Sequence, residues 1–163
     1  MDNSPLSPPS QPYLQPSYYA GLVLNTAVGG KAALGLTKVV ELEISAPNLS
    51  GYVIFEMGKP VRAVFINLNA WVKSDEGVRE RSSYHIGLSF TSADDGKMLD
   101  SAPKKIRVKR LDIGYADDVS GLAWGGQSWE TPEFLVSGKE VFETRSWDEG
   151  VDIRETEAVL VWF

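Results

Sequence analysis

Along Val61 to Lys73 apolar and polar side chains alternate almost without a break. Val64, Ile66, Leu68, Ala70 and Val72 fall on one face, and Asn67, Asn69 and Trp71 on the other. A repeat of this kind fits a half-buried strand, because successive side chains of a strand point to opposite faces. The same signal recurs in Lys38 to Ser45 and Tyr84 to Thr91, and Tyr52 to Met57 reads as a short strand. Apolar or alternating runs at Tyr19 to Val28, Glu133 to Val136, Glu140 to Trp147 and Asp152 to Phe163 extend the set. Turn chemistry separates them: Gly58-Lys59-Pro60, Ser137-Gly138-Lys139 and Asp148-Glu149-Gly150 break the runs, and Asp94-Asp95-Gly96 predicts a tight hairpin.

Two segments depart from simple alternation. In Ile106 to Tyr115 the apolar parity switches between Val108 and Leu111, which predicts a bulge near Lys109-Arg110. In Ala158 to Phe163 both parities are apolar, which predicts a strand covered on both sides. Only Gly29 to Leu36 offers a helical turn, on Lys31-Ala32-Ala33-Leu34. The sum predicts an all-β fold, an antiparallel β-sandwich or jelly-roll-like barrel of about eight or nine strands. At about 150 residues per domain, 163 residues hold one such unit, residues 19–163, preceded by an arm.

The arm is residues 1–18. It carries five of the nine prolines, at Pro5, Pro8, Pro9, Pro12 and Pro16. Proline fixes φ and removes an amide donor, so the segment is expected to run extended. Pro8, Pro9 and Pro12, with Tyr13 and Tyr18, are candidate contacts to a protein partner, as are Trp162 and Phe163 at the far end.

Composition removes several chemistries. The chain has no cysteine, so disulfides, zinc ribbons and thiol catalysis are excluded. No apolar run approaches the roughly 20 residues that cross a membrane as a helix, and Met1-Asp2-Asn3-Ser4 does not open a signal peptide. The expected location is therefore cytoplasmic or inside an assembled particle. A net charge of −6 gives no nucleic-acid signal. The one histidine, His85, sits on the polar face of its strand, where a serine triad or metal site has little to build on. Neither a cofactor motif nor a metal motif is present.

Three constellations remain. Lys104, Lys105, Arg107, Lys109 and Arg110 put five cations into seven residues, a candidate grip for an anionic partner or else an edge kept soluble by lysine. Pairing with Asp152, Glu155 and Glu157 would also account for them. Trp124, Trp129 and Glu130 are candidates for stacking and hydrogen bonding to a sugar ring. Asp117, Asp118, Glu130 and Glu133 are the carboxylates from which a hydrolase or isomerase would draw an acid–base pair. The thin catalytic inventory, the arm and the doubly apolar end favour a non-enzymatic interaction or self-assembly module, such as a viral coat or matrix subunit, most readily a homo-oligomer. Carbohydrate binding through Trp124 and Trp129 is the second expectation, and carboxylate catalysis the third.

Overall fold

The computed structural model describes residues 14–29, 37–91, 97 and 102–163. Among the described residues nine strands follow one α-helix. They are β1 (Thr37–Glu41), β2 (Leu49–Glu56), β3 (Lys59–Asn67), β4 (Ser83–Ile86), β5 (Lys105–Asp112), β6 (Ala123–Trp124), β7 (Glu143–Ser146), β8 (Val151–Arg154) and β9 (Ala158–Trp162). The large sheet has seven strands in the order β1-β2-β3-β9-β5-β6, with β7 also paired to β5. All its pairings are antiparallel. β4 and β8 form a second, two-stranded sheet. The fold is an antiparallel β-sandwich.

The alternation of β3 and β9 shows how the layers are built. Ala63, Phe65, Val159 and Val161 point to one side, where they pack with Val151 and Ile153 of β8 and Ile106 and Val108 of β5. Val64 and Leu160 point to the other side, against Tyr19, Val23 and Ala27 of the helix α1 (Ser17–Val28) and against Trp124. β9 therefore lies at the centre of the sheet with both faces covered, as its doubly apolar sequence predicts. Each fully buried aliphatic side chain here contributes about 1.5–3 kcal/mol relative to exposure.

α1 corrects the strand expected over Tyr19 to Val28. Pro16 precedes the first turn with φ −53, already set for a helix and without an amide to leave unpaired. Tyr19, Val23 and Ala27 recur every four residues and form the buried stripe. The stripe is masked in the sequence because the outer face is apolar too, with Leu24 64% exposed.

The bulge expected at Lys109-Arg110 is also absent. The register from Arg107↔Trp162 to Leu111↔Ala158 runs without a slip. The parity switches because β5 serves both cores in turn. Ile106 and Val108 enter the inner one, and Leu111 packs on the α1 side. The irregularity lies instead in β2, between Ile54 and Phe55. The β2–β3 connection is a two-residue turn in which Met57 (φ 50) and Gly58 (φ 78) both take the left-handed conformation that matches strand twist. Glu133 to Val136 is not a strand. The hairpin expected around Asp94-Asp95-Gly96, the turn at Lys31 to Leu34, and Pro8, Pro9, Pro12 and Tyr13 lie outside the described residues. No described helix is long and apolar enough to cross a membrane.

Candidate functional site

The side chains singled out in the sequence gather mainly on the α1 face of the large sheet. Cross-strand registers place Arg62 of β3, Trp162 of β9 and Arg107 of β5 in one row. Phe142 stands edge-on to Trp162, with centroids 5.4 Å apart at 74°. The Arg107 guanidinium lies 3.9 Å from the Phe142 centroid. Lys109, two residues along on the same face, is only 4% exposed. Its Nζ sits 5.0 Å from the Trp124 ring and donates to Glu140 Oε1 at 2.6 Å. Arg62 donates from Nε to the Ala27 carbonyl at the end of α1, at 2.7 Å, and pairs with Glu56.

The five cations of β5 therefore divide. Lys109 is committed to Glu140, and Arg110 to Glu143 and Glu157. Lys104, Lys105 and Arg107 are exposed and form no ion pair with a described residue. β5 is an interior strand, flanked by β9 on one side and by β6 and β7 on the other, so these cations do not serve to protect a sheet edge.

The tryptophans and carboxylates do not assemble into a sugar platform. Trp124 is 2% exposed and buried beneath α1, its Nε1 donating to Thr26 Oγ1 at 3.3 Å. Trp129 is half-buried, its ring 6.1 Å from both Tyr18 and Tyr19. The Tyr19 hydroxyl accepts the Trp129 amide at 3.1 Å and contacts Ser128 Oγ at 2.9 Å. Glu130 spends its carboxylate on the amides of Gly121 (2.6 Å) and Leu122 (3.0 Å). Asp117 and Asp118 accept the amides of Lys73 and Tyr115, and Glu133 is solvated. No two of these four acids converge on a hollow.

The buried charge lies elsewhere, at the corner between β8 and β9. Glu157, 1% exposed, accepts from the Arg154 amide (2.8 Å), Arg154 Nη2 (3.2 Å) and Arg110 Nη1 (3.1 Å). Glu155 pairs with Arg79 at 2.6 Å, and the Arg81 guanidinium ties the Glu155 carbonyl to that of Ile113. Hydrogen bonding from Arg110 holds the Glu143 carboxyl below the ordinary range. Burial, then the nearby Glu157 charge, pushes Asp112 upward, and Arg154 only partly offsets this. The cluster is satisfied throughout and acts as a structural knot. Of the acids the sequence offered to the basic strand, only Glu157 meets it through its carboxylate, and Asp152 offers Arg110 only its backbone carbonyl, at 2.8 Å. Asp152 pairs with His85 instead, at 2.8 Å on the surface.

Two further hollows are apolar. One, of about 570 Å³, lies between β2, β3 and the segment after β4, with Phe55, Phe90 and Phe163 in its walls and His85 at its rim. Phe163 is thus half-buried against Phe90, 5.0 Å away, while Trp162 belongs to the opposite face. The second, of about 470 Å³, runs between α1 and the sheet, with almost wholly apolar walls that include Leu24, Val39, Tyr52 and Ile66. It continues into a smaller hollow through the shared Ile66, Leu111 and Ala158. The rim of this trough carries the exposed Leu24 and Val39, and the exposed Leu68 stands over the smaller hollow. No pattern along the chain announces the trough, because it forms only where α1 and β1 meet. Among the described residues no three His, Asp or Glu side chains gather as a metal site.

Comparison with known proteins corrects the functional expectation. The family model for the glycosyl hydrolase family 79 C-terminal beta domain matches residues 51–160. The fold is similar to that of a 4-O-alpha-L-rhamnosyl-beta-D-glucuronidase from Fusarium oxysporum 12S, solved as its Rha-GlcA complex. The TM-score is 0.70 and the identity 18%, over 90% of this chain and 29% of that one. This chain therefore spans less than a third of the length of that enzyme. A search of curated proteins returns no match. The expectation of a non-enzymatic self-assembly module of coat or matrix type is overturned. It failed because an interaction surface and an assembly surface look alike in sequence, and because the acids that suggested chemistry are spent on amides. The chain belongs to the glycosyl hydrolase family 79 C-terminal beta domain family.

Proposed function

We propose that this chain works as the β domain of a glycoside hydrolase that acts on a uronic-acid-containing glycan, docking through the trough beside α1 onto the part of the enzyme that completes the active site. The observation that carries this reading is the family match over residues 51–160. The similar enzyme, named as a glucuronidase, supplies the substrate class. The trough supports the docking step. Leu24 and Val39 are 64% and 49% exposed around the apolar floor of the trough, and Leu68, 61% exposed, stands over the adjoining hollow, whose walls also carry Asn67, Asn69 and Thr156. A contiguous exposed apolar patch marks a surface that is covered in use.

The test mixes the full chain with a family 79 hydrolase body from which its own β domain has been deleted, and follows hydrolysis of 4-nitrophenyl β-D-glucuronide. The mixture should hydrolyse the substrate faster than the sum of its parts, and sedimentation should show a complex. The intact hydrolase, whose docking face is filled, should not bind. Leu24→Asp with Val39→Asp, both at exposed positions, should abolish complex and rate gain together. Absence of both complex and rate gain with the unaltered chain refutes the proposal.

A further inference from the structure

We infer that the shelf formed by Lys105, Arg107 and Phe142, with Lys104 beside it in sequence, is a binding surface for an acidic polysaccharide, separate from the trough. The choice of a uronate as the anion rests on the proposed function; the surface itself rests on three observations.

The first is the unspent charge. In a chain of net charge −6, Lys104, Lys105 and Arg107 stand exposed with no acidic partner among the described residues, while their neighbours Lys109 and Arg110 are both paired. The second is position. β5 is an interior strand, so the usual reason for lysine on a strand, the blocking of edge pairing, does not apply. The third is the aromatic partner. Phe142 holds Arg107 over its ring at 3.9 Å and is itself braced edge-on by Trp162. An arginine held by an aromatic ring loses less freedom on binding, and its planar fork matches a carboxylate.

A uronate unit offers what this arrangement recognises. Its carboxylate can accept two parallel N–H bonds from Arg107, and its C–H groups can meet the part of the half-buried Phe142 ring that the guanidinium leaves exposed. Lys105, two residues along the same strand face, stands roughly 7 Å away by strand rise. It takes the charge of a second unit. A neutral glycan gains only the ring contact, and a flexible acidic peptide only the charge.

The test uses the full chain and polyglucuronate, with dextran as the neutral sugar polymer and polyglutamate as the anion without a sugar, followed by calorimetry and by retention against rising salt. Polyglucuronate should bind at least tenfold tighter than either control and weaken steeply with salt. Lys105→Ala with Arg107→Ala should reduce affinity at least tenfold, while Arg107→Lys retains part of it. Phe142→Leu should reduce binding of polyglucuronate and leave polyglutamate unchanged. Binding of dextran or polyglutamate as tightly as polyglucuronate overturns the inference, and so does an unchanged affinity in the double variant. The trough is untouched by these substitutions. Polyglucuronate binding without complementation of the hydrolase body therefore leaves the shelf standing and removes the proposed function, and the converse result does the opposite.

Discussion

Replacing Glu157 by glutamine tests whether the corner between β8 and β9 is held by charge. The carboxylate is 1% exposed and accepts three N–H groups, from the Arg154 amide, Arg154 Nη2 and Arg110 Nη1. Glutamine keeps one acceptor oxygen and turns the other into an NH2 that faces an arginine donor. Charge-assisted hydrogen bonds contribute roughly 1.5–3 kcal/mol each. At least one is lost outright and another weakened, while Arg110 keeps Glu143 and so is not stranded. Breaking a buried ion pair costs about 3–5 kcal/mol when the survivor is left alone. The retained partner places Glu157→Gln at the lower end, about 3 kcal/mol. For a domain of this size that corresponds to a fall in Tm of roughly 6–12 °C. The assay is urea unfolding followed by tryptophan fluorescence, with Trp124 as the buried reporter. Asp152→Asn is the internal comparison. It alters a surface hydrogen-bonded contact with His85 whose side chains are 58% and 60% exposed, and should cost less than about 1 kcal/mol. A second readout separates charge from packing. Because the Glu157 charge helps to hold the Asp112 pKa up, Glu157→Gln should move the Asp112 titration downward by NMR. A stability loss below about 1 kcal/mol, with an unmoved Asp112, refutes the role assigned to the corner.

Tyr19→Phe removes the hydroxyl that takes the Trp129 amide and meets Ser128, and should destabilise by about 1–2 kcal/mol in the same urea assay. Glu143 is held below its ordinary range, above all by the hydrogen bond from Arg110, so its folded pKa is the lower one. Its contribution is present above the unfolded carboxylate value near about 4.3 and is lost as pH falls through the depressed folded value. Unfolding measured from pH 6 to pH 3 should show this loss, and Glu143→Gln should flatten it. Gly125 takes φ 57 beside the Lys109 side chain, where a methyl group would collide with the buried stem. Gly125→Ala should cost at least about 1–3 kcal/mol in thermal unfolding.

What was legible in the sequence is what strand period alone decides. β9 follows from Ala158 to Phe163, because a strand must declare on each parity which face is covered, but β3 takes only the first half of the alternating run from Val61 to Lys73: the strand ends at Asn67, and residues 68–72 are not strand. α1 was hidden because its outward positions are apolar as well, so the run from Tyr19 to Val28 shows no contrast between faces. The parity switch in β5 was visible but has two physical causes, a bulge or a change of core, and only the pairing with β9 separates them. The cations of β5 were visible as a block, yet which of them are spent depends on Glu140 and Glu143, some thirty residues further along the chain. The hydrolase family was illegible because the side chains here that resemble acid–base catalysts, Glu130, Asp117 and Asp118, are occupied in holding loop amides.

The covering of the sheet explains why two surfaces remain. Six strands in sequence at about 4.8 Å spacing make a face roughly 24 Å wide. A helix about 10 Å across covers some two of those spacings, and α1, at 12 residues, is roughly 18 Å long. The inner face is not short of cover in the same way, since β4 and β8 close it over the core. On the outer face the uncovered area falls at opposite ends of β3, β9 and β5. At one end lie Ile66, Ala158 and Leu111, at the other Trp162 and the exposed Lys105 and Arg107, while Arg62 in the same row is largely buried against the end of α1. The first end is apolar and gains free energy only when a partner removes it from water. The second carries charge that water already solvates, so it can stay open until an anion arrives. A single partner seated over the whole face would have to present both an apolar surface and acids to meet Lys105 and Arg107, since a cation buried without one carries a cost that apolar contact does not offset. The chemistry of the two ends therefore favours two occupants, one apolar and lasting, the other anionic and exchangeable.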